Sequence, residues 1–231
     1  MKVHFILVEP KVPENIGASA RAIKTMGFNS LILVNPCSWK EGKAKWVAHG
    51  SGEILENAVV FKTLDEALKD SDFVVATTAR ARSVKYDNVP VRKLAGFLKQ
   101  KSSVIDNLAL VFGREESGLT NEEMKLCDIV SSIGMARSYP SLNLSMAVMI
   151  YAYELSAPDR EENPETDKIP GENSVKVLKT RIRELLLLTG INEDDNRFGR
   201  IMERISFLEN DDINLLHSIC NIIGKRNIRK Q

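Results

Sequence analysis

Cysteine is scarce in this 231-residue chain, and its three copies, Cys37, Cys127 and Cys220, are far apart, odd in number and without a C-x-x-C pair. That excludes a disulfide framework and a cysteine zinc site, and it fits reduced thiols in a reducing compartment. Histidine offers no metal spacing either, since His4, His49 and His217 are scattered, so no metal is expected. An excess of one charge is also lacking. At a net charge of +1 there is no global signal for nucleic acid, and an RNA-binding surface would have to be a local patch. No apolar run reaches transmembrane length. The opening MKVHFILVEP is cut short by Glu9-Pro10 with no small-residue cleavage site after it, which argues against a signal peptide. The expectation is a cytoplasmic protein with no membrane partner.

What is present is alternation. Val3 to Val8 is an apolar, β-rich run, followed by a helical stretch from about Asn15, read as its N-cap, to Met26, with Gly27 placed to close it. Ser30 to Val34, Val59 to Phe61, Phe73 to Thr77, Leu108 to Phe112 and Ile129 to Ile133 repeat the strand pattern. Helical stretches separate them: Lys43 to Leu55 with Gly50 and Gly52 as break points, Leu64 to Leu68, and Val91 to Gln100. About six strands alternating with helices predict a doubly wound α/β fold with a mostly parallel sheet.

The stretch from Leu108 to Met146 organises the rest. A strand buried on both faces runs into Gly113-Arg114-Glu115-Glu116-Ser117-Gly118, then a helix capped by Thr120 or Asn121. A second strand ends at Gly134, and Tyr139-Pro140-Ser141-Leu142-Asn143-Leu144-Ser145 leads into a helix through Glu154. Glycine-bearing loops at strand ends, with Ser and Asn at a helix start, suit a ligand site at the carboxyl edge of a sheet. An ordinary exposed turn and a plain helix cap are the alternative reading of the same residues.

After Leu155 the composition shifts to a polar, proline-punctuated stretch that reads as a linker over 157–172. Three helical segments follow within 173–231: Ser174 to Leu188, Asn196 to Leu208 and Asp211 to Gly224. Their apolar stripes read as helix packing, in an appendage too small to be stable alone.

Three motifs occur in order. They are Glu9-Pro10 through Asn15-Ile16-Gly17 to Arg21 and Met26-Gly27, then Phe112-Gly113-Arg114-Glu115-Glu116-Ser117-Gly118-Leu119, then Tyr139-Pro140-Ser141-Leu142-Asn143-Leu144-Ser145. Together they resemble the three motifs of the SpoU/TrmH family of RNA 2′-O-methyltransferases, in the SPOUT superfamily. Arg197-Phe198-Gly199-Arg200-Ile201 and Asp211-Asp212-Ile213-Asn214-Leu215-Leu216 resemble the helical extension of its TrmJ-like branch. The resemblance implies a SPOUT domain over 1–156 with a C-terminal trefoil knot at about 108–155, a homodimer, and S-adenosyl-L-methionine as cofactor, released as S-adenosyl-L-homocysteine. It implies tRNA as substrate, methylated on a cytidine or uridine at anticodon-loop nucleotide 32. Another tRNA site or ribosomal RNA is the alternative, and a non-catalytic RNA-binding member ranks last.

The same resemblance assigns residues. Arg21 matches the first-motif arginine. Because guanidinium does not ordinarily deprotonate, its expected role is to hold a phosphate and stabilise a developing alkoxide; the family proposal of a base goes further. Asn15 would position the ribose or the arginine, Glu115 would orient its loop or Asn143, and Ser141 with Asn143 would hold the target nucleotide. Thr77, Thr78, Ala79, Phe112, Gly113, Ile133, Gly134 and Leu142 would surround the cofactor. Met135-Ala136-Arg137-Ser138 departs from the family's more Pro/Asn/Glu-like loop. Arg80, Arg82 and Lys85 are candidate phosphate contacts in an arginine-rich loop, with plain surface charge as the other reading.

Overall fold

The computed structural model describes residues 1–40, 42–79, 88–136, 141–156 and 175–228. The chain divides into two units, residues 1–96 with 107–162 and residues 97–106 with 163–231. The expected linker at 157–172 lies outside the described residues.

In the first unit the elements run β1 (Lys2–Val8), α1 (Pro13–Thr25), β2 (Ser30–Val34), α2 (Lys43–Ala48), α3 (Gly52–Glu56), β3 (Val59–Phe61), α4 (Leu64–Ala67), β4 (Phe73–Thr78) and β5 (Asn88–Pro90). After α5 (Val91–Lys99) come β6 (Asn107–Phe112), α6 (Asn121–Lys125), β7 (Ile129–Ser132) and α7 (Leu144–Ser156). The strands form one sheet in the order β3-β2-β1-β6-β4-β7-β5, and every pair is parallel. The α/β expectation holds, with one strand more than the pattern suggested. β5 has only three residues and ends in Pro90, which is tolerated because the strand lies at the sheet's edge.

Both faces of the sheet are buried at its central strands, which is why those strands read as continuous apolar runs, while the edge strand β3 exposes Val59 and Val60. Ile6, Val8, Ile32, Val34, Val74, Ala76, Ala109 and Val111 alternate onto one face, where they meet Leu64, Leu119 and Met124. Phe5 and Phe112, both buried, point to the other face. Phe112 stacks on Phe5 at 6.3 Å and takes the edge of Tyr151 from α7 at 5.5 Å.

Two local expectations are corrected. Asn15 is not the cap of α1: Pro13 suits the first helical position, so Val12 is the N-cap and Asn15 sits in the first turn. The stretch 43–55 is two helices, because the chain reverses at His49, whose φ is 36°, between α2 and α3. Gly27 does close the end of α1, with φ 82°.

The second unit contains α8 (Val175–Leu188), α9 (Asn196–Ile205) and α10 (Asn210–Ile228). In it the buried Lys101 donates to the carbonyl of Leu208 and lies 5.2 Å from the centroid of Phe97, whose ring meets Phe207 edge-on. Among the described residues, no helix is long and apolar enough to cross a membrane.

Candidate active site

The carboxyl ends of β4, β6 and β7 sit side by side because β6 is inserted between β1 and β4. Such an inserted strand opens a crevice at the carboxyl edge, where ligands bind in open α/β sheets. A cavity of about 290 Å³ occupies it. Thr77, Thr78 and Ala79 supply one wall, Phe112 with the loop from Gly113 to Leu119 a second, and Ile133, Ser141 and Leu142 a third. Among the residues expected around a cofactor, only Gly134 is absent from this lining.

The 113–119 loop closes on itself. Arg114 and Gly118 exchange backbone hydrogen bonds, and Gly118 takes φ 71° to allow the return. A Cβ on Gly113 would sit 2.2 Å from the carbonyl carbon of Gly118 and 2.4 Å from the amide nitrogen of Leu119, so the backbone approach requires glycine. Thr120 then caps α6 in a reciprocal box with Glu123.

The three motifs meet in a chain of polar contacts beside the cavity. Glu115 accepts from the backbone N–H groups of Lys11 at 3.2 Å and Val12 at 3.4 Å, and from the Asn15 amide at 3.0 Å. The Asn15 carbonyl oxygen accepts from the Asn143 amide at 2.8 Å. Asn143 in turn accepts from the N–H and hydroxyl of Ser145, at 2.9 and 2.7 Å, which fixes the start of α7. Glu115 therefore reaches Asn143 through Asn15.

Arg21 stands apart. It is exposed, absent from the cavity lining, and has no hydrogen-bond or ion-pair partner among the described residues. Six positions beyond Asn15 on the same helix, it projects roughly 120° around the axis and about 9 Å along it. Arg80, Arg82 and Lys85 lie outside the described residues, as do Arg137 to Pro140.

Two features escaped the sequence reading. The first is a charge clamp. Arg114 donates to Glu9 at 2.9 and 2.7 Å and to Glu123 at 2.9 Å through each of two nitrogens, so one guanidinium ties the end of β1 to the cap of α6. The Arg114 hydrogen bond holds the Glu9 carboxyl below its ordinary range. At Glu123 burial works the other way, but Arg114 and the Thr120 backbone outweigh it, and that carboxyl is also lowered. Glu9 has φ 45°, an unfavourable conformation for a non-glycine residue, and the clamp secures it. The second feature is Tyr151, which lines the cavity with Leu144 and Ala147. These recur at i, i+3 and i+7 on α7, a signal legible in the sequence. Burial pushes the Tyr151 phenol up and the Ser131 hydroxyl pulls it back, yet neither oxygen reaches hydrogen-bonding geometry with a described residue.

Comparisons with known proteins identify the family of the chain. Residues 2–153 match the SpoU rRNA Methylase family, and residues 172–227 match the C-terminal domain of the tRNA/rRNA methyltransferase LasT. An uncharacterized tRNA/rRNA methyltransferase LasT from Escherichia coli is 44% identical over 231 residues, the whole of both chains. The tRNA (cytidine/uridine-2'-O-)-methyltransferase TrmJ of Salmonella typhimurium is 34% identical, over 97% of each chain. Among solved structures, TrmJ from Z. mobilis superposes with a TM-score of 0.67 at 27% identity, over 97% of this chain and all of that one. The SpoU methyltransferase AviRb from Streptomyces viridochromogenes, solved with the cofactor AdoMet, gives 0.52 at 25% identity over 67% of this chain and 59% of its own. With its family match spanning the whole sheet and all three motifs, this chain belongs to the SpoU methylase family.

Proposed function

We propose that the chain is an S-adenosyl-L-methionine-dependent RNA ribose 2′-O-methyltransferase that acts on tRNA as a cytoplasmic homodimer, with anticodon-loop nucleotide 32 as its target. The observation that carries this reading is the Glu115–Asn15–Asn143 chain, which joins three sequence-distant motifs, with Glu115 itself lining the cavity. The trefoil knot at about 108–155 belongs to the same reading, supported by β6 and β7 each lying between earlier strands. So do the domain division at 156 and the helical extension from 173.

The cavity suits the cofactor. Phe112, Leu119, Ile133, Leu142 and Leu144 offer apolar walls for an adenosine, strand-end backbone groups are close by, and the buried Tyr151 hydroxyl is a polar group without a hydrogen-bond partner among the described residues. When bound, S-adenosylmethionine supplies an electrophilic methyl on sulfonium sulfur. A ribose 2′-hydroxyl is a weak nucleophile, so the protein's work is alignment and charge stabilisation. Glu115 holds Asn15, Asn15 holds Asn143, and these amides with Ser141 fix the ribose. Arg21 supplies positive charge to a phosphate and to the oxygen as its proton leaves for water. Each site of the proposed dimer draws this arginine from the other protomer, which accounts for its distance from the cavity of its own chain. Arg80, Arg82 and Lys85 are assigned to RNA phosphates. A second reading, with ribosomal RNA as substrate, is favoured by the family's own description.

The test is transfer of labelled methyl to unmodified bulk tRNA. Arg21→Ala and Asn143→Ala should each lose activity at least about a hundredfold, the low end of what a positioned charge or orienting group contributes. Full activity of a folded Arg21→Ala dimer would remove the central assignment.

A further inference from the structure

Helix α2 displays a feature that the site does not use. Its buried side is Ala44 and Ala48, whereas Trp46 is 73% exposed. At ~100° per residue Trp46 projects opposite the two alanines, flanked by Lys43 and Lys45. Within the described residues from 36 to 56, Trp46 is the only exposed large hydrophobic side chain. Lys43 pairs with Glu14 at 3.0 Å, while the exposed Lys40 and Lys45 have no carboxylate partner among the described residues. A lone exposed indole between lysines does not resemble the apolar core of a protein interface. It matches a single-strand platform, an aromatic face for a base with cations for the flanking phosphates.

The location ties this surface to the site. A Cβ on Gly17 would lie 2.1 Å from the carbonyl oxygen of Ala44, so the backbones of α1 and α2 touch. The Lys43–Glu14 pair joins α2 to the residue beside Asn15. We propose that the outer face of α2 is an RNA-docking surface, with Trp46 stacking an unpaired base of the substrate and Lys45 and Lys40 holding the adjoining phosphates. This rests on the RNA substrate class proposed above and adds a contact remote from the reacting ribose.

Trp39 is buried, so iodide quenching of tryptophan emission reports mainly on Trp46. Titration with unmodified bulk tRNA should lower that emission and protect it from iodide. Trp46→Ala should weaken tRNA binding about five- to a hundredfold, the range carried by one base–aromatic stack. Trp46→Phe should restore most of the affinity, and Lys45→Ala should flatten the salt dependence of binding by about one ion. Cofactor binding by calorimetry should be the same in all variants, which checks their folding. Unchanged tRNA affinity in Trp46→Ala, or iodide access unaltered by tRNA, would overturn the proposal. So would sedimentation showing that Trp46→Ala separates protomers, because the face would then join copies of this chain. Quenching and a Trp46 binding defect without methyl transfer to any RNA would instead remove the activity and leave the docking surface standing.

Discussion

Replacing Arg114 with methionine keeps an unbranched side chain and removes the cation between two carboxylates. Four charge-assisted hydrogen bonds disappear, and Glu9 and Glu123 are left facing a common gap. Breaking a fully buried ion pair costs about 3–5 kcal/mol, whereas an exposed pair contributes about 0–1 kcal/mol. The side chains of Arg114 and Glu123 are each 16% exposed and that of Glu9 38%, so the clamp lies between these limits. The expected loss is about 2 kcal/mol at pH 7, or roughly 4–8 °C in melting temperature for a chain of this size. The pH dependence separates charge from packing. Both carboxyls are lowered in the folded state from an ordinary 4.5, so their contribution is complete above about 4.5 and fades as pH falls through the folded values. Urea unfolding of wild type and Arg114→Met should therefore differ most near neutrality and converge as pH falls through the lowered folded values and both carboxyls become protonated. Adding Glu9→Gln and Glu123→Gln to the variant should recover part of the loss at pH 7 by removing the unpaired charges. A wild-type-to-variant difference that stays constant into acid would refute the electrostatic reasoning.

The remaining expectations concern backbone approach and the polar chain. Gly113→Ala must open the 113–119 loop, and calorimetry should show cofactor affinity falling at least about tenfold, the effect of misplacing a site by part of an ångström; wild-type affinity would mean the loop does not shape the pocket. Asn15→Ala strands one donor of Asn143 and one acceptor position of Glu115, so kcat should fall more than the KM for cofactor changes, and equal effects on both would demote Asn15 to a packing role. Gly17→Ala would force α1 away from α2 and should destabilise by about 1–3 kcal/mol, as overpacking does, read as a lower melting temperature with no change if the helices slide freely. Tyr151→Phe removes a hydroxyl that has no hydrogen-bond partner among the described residues, so the free protein should be as stable or slightly more so while cofactor affinity drops; a large loss of stability would show that the hydroxyl is satisfied within the protein.

The fold was legible where the physics is local. The central strands announced themselves as apolar runs because both faces of the sheet are covered there, and Gly27 and Thr120 mark helix ends through backbone conformation and capping alone. β5 was not legible, since three residues ending in proline carry no periodic signal. Asn15 was misread as a cap because Pro13, two residues earlier, already starts the helix. In the candidate site, Glu115 lies in the loop after β6, Asn15 in the first turn of α1 and Asn143 just before α7, and the three converge though scattered in sequence. The Arg114 clamp was illegible, because Glu9 and Glu123 approach only after β1 and β6 pair. Arg21 is legible in the motif, yet in the folded chain it has no hydrogen-bond or ion-pair partner among the described residues and does not line the cavity.

The decisive measurement is the position and chemistry of the transferred methyl. Unmodified tRNA would be incubated with the protein and S-adenosylmethionine, digested, and its nucleosides and fragments mapped by mass spectrometry. A single 2′-O-methylated cytidine or uridine at nucleotide 32 is the expected product. A methyl group on a base, or tight cofactor binding with no methylated nucleotide in tRNA or ribosomal RNA, would contradict it.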